Sequence, residues 1–135
     1  TDELYYAAEG IGAFYESKGL HQKIKVSDRT KDIRIVISRS HKSEELLRLI
    51  ERNRIKNVRA VGSAIKGCLI AKGEAEVYYR FGQTNEWDTA AMQCIVEEAG
   101  GIFRQMDGTE MTYNRLDSVN RKGFYVLNNE LNKLN

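Results

Sequence analysis

The sequence has no proline, two cysteines, two histidines and one tryptophan among its 135 residues. Any motif that requires proline is therefore excluded. The cysteines and histidines together leave almost no room for a metal centre built wholly from those ligands. No apolar run reaches the ~18 residues of a membrane-spanning helix. The opening segment, Thr1 to Tyr6, lacks the basic and apolar regions of a secretory signal. The chain also opens without methionine, which is the expectation for a processed or truncated product. Charge of one sign is missing as well: 21 basic residues against 19 acidic ones leave +2. That balance argues against a nucleic-acid partner recruited by electrostatic field alone.

What is present fits one folded domain. A length of 135 residues can bury a real core without disulfide or metal staples. Hydrophobic residues at 41% and charged residues at 30% are ordinary for a globular domain. Cys68 and Cys94 fall inside apolar helical patterns, so they read as small buried thiols of a reducing, cytoplasmic compartment.

Strand and helix periods alternate along the chain. Leu4 to Tyr15 reads as two short strands joined by a turn around Gly10 and Gly12, and Gln22 to Val26 as a third. Ile33, Ile35 and Ile37 alternate with Arg34, Val36 and Ser38 at the strand period. A helix is expected from about Ser43 to Asn53, with Leu46, Leu47, Leu49 and Ile50 on its apolar face and Glu44 and Glu45 in its first turn. Val58, Ala60 and Val61 give a short strand, which Gly62-Ser63 breaks. A second helix then runs to about Lys72, with Gly73 as its stop. Ala75, Val77 and Tyr79 alternate with Glu74, Glu76, Tyr78 and Arg80 in another strand. Phe81 to Asn85 reads as loop. Asn85 caps a third helix, Glu86 to Ala99, with a buried stripe of Trp87, Ala90, Ala91, Cys94 and Ile95. After Gly100-Gly101 come a strand from Ile102 to Arg104, a turn at Asp107-Gly108 and a last strand from Phe124 to Leu127. Alternating strands and helices imply an α/β layer architecture.

Polar residues collect where strands end: Ser38 to His41, Gly62 to Lys66, Arg80, and Asn85 to Asp88. In open α/β sheets ligands sit beyond the carboxyl ends of strands, and helix N-termini there suit phosphate. Ser63 and Lys66 lie one turn apart at such an end, while Arg39 and Arg80 add planar donors. The pattern describes a phosphate-binding cluster with one carboxylate, Asp88, nearby. Taken singly, each residue also has a plainer role. Ser63 fits a helix cap, Asp88 a first-turn acid, Lys66 and Arg80 solvated charges, His41 a loop residue and Trp87 the core. No nucleophile–base pair, paired carboxylates or glycine-rich phosphate loop of the usual spacing is evident.

The segment Glu86-Trp87-Asp88-Thr89-Ala90-Ala91, followed by Ile95-Val96-Glu97-Glu98-Ala99-Gly100-Gly101, resembles the C-terminal motif of the inositol monophosphatase-like phosphatases. These are magnesium-dependent phosphomonoesterases with a layered αβαβα fold. Three further segments resemble the 3′(2′),5′-bisphosphate nucleotidases of the CysQ type within that superfamily. They are Ile37-Ser38-Arg39-Ser40-His41, Gly62-Ser63-Ala64-Ile65-Lys66 and Tyr78-Tyr79-Arg80-Phe81-Gly82. The resemblance covers nearly the whole chain, with the motifs in order. It implies that Asp88 is a metal-binding aspartate beside the scissile phosphate. It also implies that Ser63, Lys66 and Arg80 hold the nucleotide's second phosphate and adenosine end, with Arg39 and His41 a softer match. The implied reaction is hydrolysis of 3′-phosphoadenosine 5′-phosphate to AMP and phosphate, with Mg²⁺ activating a water.

The family's other metal ligands, an N-terminal glutamate and an Asp-Pro-Ile/Leu-Asp-Gly-Thr loop, have no counterpart in a chain without proline. Asp107-Gly108-Thr109 reads as a turn and takes no metal role. One aspartate is a poor Mg²⁺ site. The expectation is therefore a single substrate-recognition domain over residues 1–135, the C-terminal αβ half of the layered fold: a mixed sheet flanked by helices. Residues 1–20 would be edge strands belonging with a missing N-terminal half. Alone, such a fragment would be inactive and would not hold Mg²⁺. An inositol phosphate or fructose bisphosphate is the alternative substrate, and a non-catalytic phosphate- or nucleotide-binding domain is the alternative class. Truncation should leave an apolar face uncovered, with Leu4 to Tyr15 either mobile or paired with a second copy.

Overall fold

A computed structural model describes residues 3–39, 43–61, 66–81, 84–110, 119–120 and 123–135; for 84–88 and 119–120 it describes the backbone only. The chain opens with an antiparallel sheet of β1 (Glu3–Ala8), β2 (Gly12–Ser17) and β3 (Leu20–Ile24). The larger sheet contains β4 (Arg34–Ser38), β5 (Asn57–Val61), β6 (Val77–Arg80), β8 (Ile102–Gln105) and β10 (Phe124–Leu127) in the order β5-β4-β6-β10-β8. It is mixed: β4 runs parallel to β5 and β6, and β10 antiparallel to β6 and β8. β7 (Thr84–Asn85), in the segment read as loop, pairs with β9 (Val119–Asn120).

Three helices separate these layers. α1 (Glu44–Arg52) is capped by Ser43, whose side chain accepts a hydrogen bond from Leu46 N, and ends at Asn53. α2 (Lys66–Lys72) stops where Gly73 takes φ +86°, a conformation that costs glycine little. α3 (Glu86–Glu98) ends at Gly100-Gly101. Along the large sheet, odd and even positions feed two different cores. Ile35, Ile37, Val77, Tyr79, Tyr125 and Leu127 pack with Leu46 and Leu49 of α1. Val36, Tyr78, Phe124, Val126 and Phe103 pack with α2 and α3. The far side of α2 and α3 meets Ala13, Tyr15 and Ile24 of the small sheet. The layers therefore run α1, large sheet, α2 with α3, small sheet, which is the α/β architecture of mixed sheet and flanking helices read from the alternating periods.

Several local expectations change in this setting. Helices cover both faces of β4, so Ile35, Val36, Ile37 and Ser38 are all buried despite their alternating pattern. Leu47 points away from the α1 core and is 49% exposed, because only Leu46 and Leu49 face the sheet squarely. The stripe of α3 is rotated from the expected one. Thr89, Met92, Ile95, Val96 and Ala99 are buried, Ala90 and Ala91 are exposed, and Cys94 is half-buried. A helix held between two sheets needs its larger apolar residues on the contact faces and can leave alanines in water. Cys68 is buried as expected, which pushes its thiol up to about 11. The opening strands do not stand apart. β1 and β2 contact α3 of the same chain, and Ala13 and Tyr15 join its core. Their outer face remains open, with Leu4, Tyr6 and Leu20 exposed.

At the amino ends of β4 and β6 lies a polar knot. Glu76 is fully buried. Its Oε1 accepts from Arg34 N at 2.7 Å and Arg34 Nε at 3.0 Å. Its Oε2 accepts from the other end of the same guanidinium at 2.5 Å and from the Ser27 hydroxyl at 2.6 Å. Asn128 donates from its backbone to Glu76 O, and from its side chain to the carbonyls of Ser27 and Arg29. Burial alone would raise the Glu76 carboxyl. The Arg34 and Ser27 hydrogen bonds, with the Arg34 charge, outweigh burial and hold it below the usual carboxylate range.

Removing either partner should have unequal effects. Arg34→Met strands a fully buried carboxylate and should cost about 3–5 kcal/mol. Glu76→Gln leaves a guanidinium whose side chain is 32% exposed, so water relieves it and the cost should be about 1–2 kcal/mol. Because the folded carboxyl titrates below the unfolded one, the pair's contribution is complete above the ordinary carboxylate range. It is lost as pH falls through the folded value. The Arg34→Met deficit should therefore shrink in acid. Urea midpoints measured across that range check both points, and equal costs for the two variants would contradict them.

Candidate functional site

Opposite this knot, the carboxyl ends of β4 and β6 open side by side. The parallel register sets Ile35 against Val77 and Val36 against Tyr78, so Ser38 and Arg80 finish at the same edge of the sheet. β10 begins there too, with Phe124 opposite Arg80. α2 starts at Lys66, packed on the face that also carries Tyr78. Sequence and topology thus bring a lysine and an arginine from different elements to one end of the sheet, where ligands of such folds bind.

Lys66 is only 4% exposed. Its Nζ lies over the ring of Tyr78, 5.6 Å from the centroid. Burial, and then the charge of Arg80, lower the Lys66 ammonium below its usual range. Arg80 is half-buried and lies two residues from Tyr78 on the same face of β6. Burial raises the Tyr78 phenol while Arg80 opposes the rise, so the phenol is neutral at physiological pH. Among the described residues, the buried Arg80 Nε has no hydrogen-bond partner. A desolvated guanidinium N–H left unpaired is costly. An anionic oxygen delivered from solvent would satisfy it with a charge-assisted bond. A cleft of about 170 Å³ bordered by Ser38, Ser43, Tyr79, Arg80 and Phe81 adjoins it.

The residues singled out from sequence fare differently. Lys66 and Arg80 come together. Arg39 follows Ser38 at the same sheet end and is exposed. Ser63 and His41 lie outside the described residues. Asp88 occupies the first turn of α3, with its side chain outside what is described. Tyr78 was read as a strand residue and as part of the Tyr78-Tyr79-Arg80-Phe81-Gly82 segment, without a site role of its own. The signal for more was its position two before Arg80, which puts both on one face. Asp107-Gly108-Thr109 closes on itself: Thr109 N and Oγ1 donate to Asp107 Oδ1 at 3.0 and 2.5 Å. Among the described residues no three His, Cys, Asp or Glu side chains cluster. These residues alone therefore do not compose the oxygen-rich shell that Mg²⁺ requires.

The description "Inositol monophosphatase family" matches residues 1–133. The 3′(2′),5′-bisphosphate nucleotidase CysQ of Salmonella typhimurium is 38% identical over 123 residues, covering 91% of this chain and 49% of that protein. The crystal structure of CysQ from Bacteroides thetaiotaomicron superposes with a TM-score of 0.80 at 35% identity, over 95% of this chain and 55% of that one. A staphylococcal IMPase-II solved with 2′AMP bound superposes at 0.72 with 25% identity, over 93% of this chain and 47% of that one. The chain spans about half the length of the curated relatives it matches. The layered fold, the ordered motifs and a match over nearly every residue place this chain in the inositol monophosphatase family.

Proposed function

We propose that this chain is the substrate-recognising, C-terminal half of a Mg²⁺-dependent 3′(2′),5′-bisphosphate nucleotidase that converts 3′-phosphoadenosine 5′-phosphate to AMP and phosphate. The closeness of Lys66 to Arg80 at one end of the sheet, with the buried Arg80 Nε unpartnered among the described residues, carries this reading. A monophosphate substrate needs one anion site, at the reacting phosphate. A bisphosphate needs a second, and a lysine point charge beside an arginine fork suits one. The CysQ relatives, and a staphylococcal relative crystallised with an adenine nucleotide, agree with this choice.

In this scheme Lys66 and Arg80 bind the non-reacting phosphate and orient the nucleotide. Ser63, Arg39 and His41 complete that pocket. Asp88 gives one carboxylate to the metals and lies beside the scissile phosphate. Mg²⁺ supplies an activated water and neutralises charge in the displacement, and its remaining ligands belong to the other half of the protein. Residues 1–20 form the strands that adjoin that half, and their open outer face is a surface for it or for a second copy of the chain. The unpaired thiols of Cys68 and Cys94 suit a cytoplasmic setting.

Phosphate release from 3′-phosphoadenosine 5′-phosphate with Mg²⁺ tests the reading, using the full-length gene product beside this chain alone. The full-length protein should prefer that nucleotide to inositol 1-phosphate, and the chain alone should turn over little. Lys66→Met and Arg80→Met should each raise KM for the bisphosphate by about tenfold or more, as expected for a lost charge-assisted bond. Preference for inositol 1-phosphate would reverse the substrate assignment; a staphylococcal IMPase-II has been crystallised with an inositol monophosphate. An inactive full-length protein whose nucleotide binding still weakens on Lys66→Ala would make this a binding domain.

A pH dependence follows from the lowered Lys66 ammonium. Its charge is lost below the range of an ordinary lysine, so bisphosphate affinity should start to fall at correspondingly lower pH. In Lys66→Arg that decline should move to higher pH, since a guanidinium keeps its charge. Titration calorimetry from about pH 7 to about pH 10, the span below the ordinary lysine range, reads the difference. Parallel curves for the two proteins would exclude Lys66 from the anion site.

A further inference from the structure

Arg80 borders its cleft beside a wall made of rings. Tyr79 and Phe81 flank Arg80 in sequence and turn to the other face of the sheet, toward α1. Their rings form the end of a column. Tyr125 stacks on Tyr79 at 5.3 Å and 22°, and Tyr79 on Phe81 at 6.4 Å and 27°. Tyr79 and Tyr125 are buried, and Leu134 N donates to the Tyr79 hydroxyl at 3.0 Å, which fixes the middle ring. Phe81 is the last ring. It is only half-buried, and it lines the cleft. Leu46 adds an apolar side there, and Ser38 and Ser43 add hydroxyls. The Ser43 oxygen accepts from Leu46 N at 3.1 Å and keeps its own proton to donate. That composition suits a flat, uncharged heterocycle. Every base has a π-face, and a ring already covered on one side by Tyr79 is a stacking platform for it. Nitrogens and exocyclic groups at a base edge pair with hydroxyls. A polyol ring carries hydroxyls all round and would press several of them, desolvated, against Phe81 and Leu46.

We propose that Phe81 is a specificity-determining residue, stacking on the purine base of a nucleotide whose phosphate is held at Arg80. This rests on the reading of the site as a nucleotide bisphosphate pocket, and it assigns the part of the substrate that carries no charge. Lys66 and Arg80 cannot tell a nucleotide from another bisphosphate of equal charge, whereas Phe81 can. The column behind Phe81 holds the platform in place before binding, so little ordering is lost when the base arrives.

The test crosses one side chain with one substrate group, in the full-length gene product. Phe81→Leu keeps apolar volume against Tyr79 and α1 and removes the π-face. It should raise KM for 3′-phosphoadenosine 5′-phosphate about tenfold, within the range for losing one base–aromatic stack, with kcat within about twofold. Ribose 3,5-bisphosphate has both phosphates and no base, so its KM should be the same in Phe81→Leu as in the wild type. The wild type itself should take this compound with a KM about tenfold or more above that for the nucleotide. Should Phe81→Leu fail to fold, Phe81→Met, with a flexible side chain that fills irregular gaps, takes its place with the same expectation. Equal losses on both compounds would mean damaged packing and would overturn the proposal. An unchanged KM for the nucleotide would do the same, as would a wild type that handles both compounds alike. If the wild-type protein does not hydrolyse this nucleotide, the nucleotidase reading falls separately. Calorimetry with AMP and with ribose 5-phosphate then decides for Phe81: a preference for AMP that Phe81→Leu removes upholds the base platform, and any other result ends it.

Discussion

The register between β4 and β6 governs everything that the open end of the sheet can do. Both strands are short, and pleating sends successive side chains to opposite faces. A slip of one residue would turn Tyr78 and Arg80 toward α1 and present Val77 and Tyr79 to α2. The buried Arg34–Glu76 pair opposes such a slip, because Arg34 N and its guanidinium both bind one carboxylate that has no access to water. Glu76 N also donates to Arg34 O, and Asn128 N to Glu76 O, so the start of β4, the start of β6 and the end of β10 meet in one place. A carboxylate in that position tolerates few alternative pairings, since each leaves it desolvated and unsatisfied.

The helical layer transmits this order to the rest of the chain. A side chain on Gly101 would stand 2.9 Å from Val96 and 3.1 Å from the Leu127 carbonyl, so α3 can return to the sheet only through glycine there. At the same end of α3, the Glu98 carboxylate accepts from Gly10 N at 3.1 Å and Gly12 N at 3.0 Å, pinning the β1–β2 turn to the helix. The small sheet is therefore held by backbone hydrogen bonds as well as by Ala13, Tyr15 and Ile24. Its outer face carries the stacked rings of Tyr6, Phe14 and His21, next to exposed Leu4 and Leu20. In a chain about half as long as its relatives, the burial of only one face leaves this sheet less covered than the layers beneath it.

Most elements were legible because their signals are local. The alternation of Ile33, Ile35 and Ile37, the helix from about Ser43 with its first-turn acids, and the stop at Gly73 all reflect physics acting within a few residues. What escaped depends on neighbours distant in sequence. Glu76 reads as an outward strand position, and only Arg34, forty-two residues earlier, together with Ser27 and Asn128, makes its burial tolerable. The stripe of α3 was misplaced because alanine and cysteine carry little orientational information on a helix touching sheets on both sides. The grouping of Lys66 with Arg80 was read from their places at strand ends, although each residue alone also fits a solvated charge. The order of the family motifs strengthened that reading, and the parallel pairing of β4 with β6 explains the sheet end where they meet.

The two ends of β6 show opposite treatments of buried charge. At Glu76 the protein supplies every partner itself, and the result is a neutral, inflexible joint. At Arg80 it brings a second cation close, lowers the ammonium of Lys66, and leaves one buried guanidinium N–H without an acceptor among the described residues. An arrangement of the second kind destabilises the empty protein, and stability gained elsewhere must offset it. A doubly charged oxyanion would reverse both penalties together, giving the orphaned N–H an acceptor and drawing the Lys66 ammonium back toward its ordinary range. Because the strands are four and five residues long, both ends belong to one rigid unit, and the strength of the joint at Glu76 is what lets the other end remain strained and ready for its ligand.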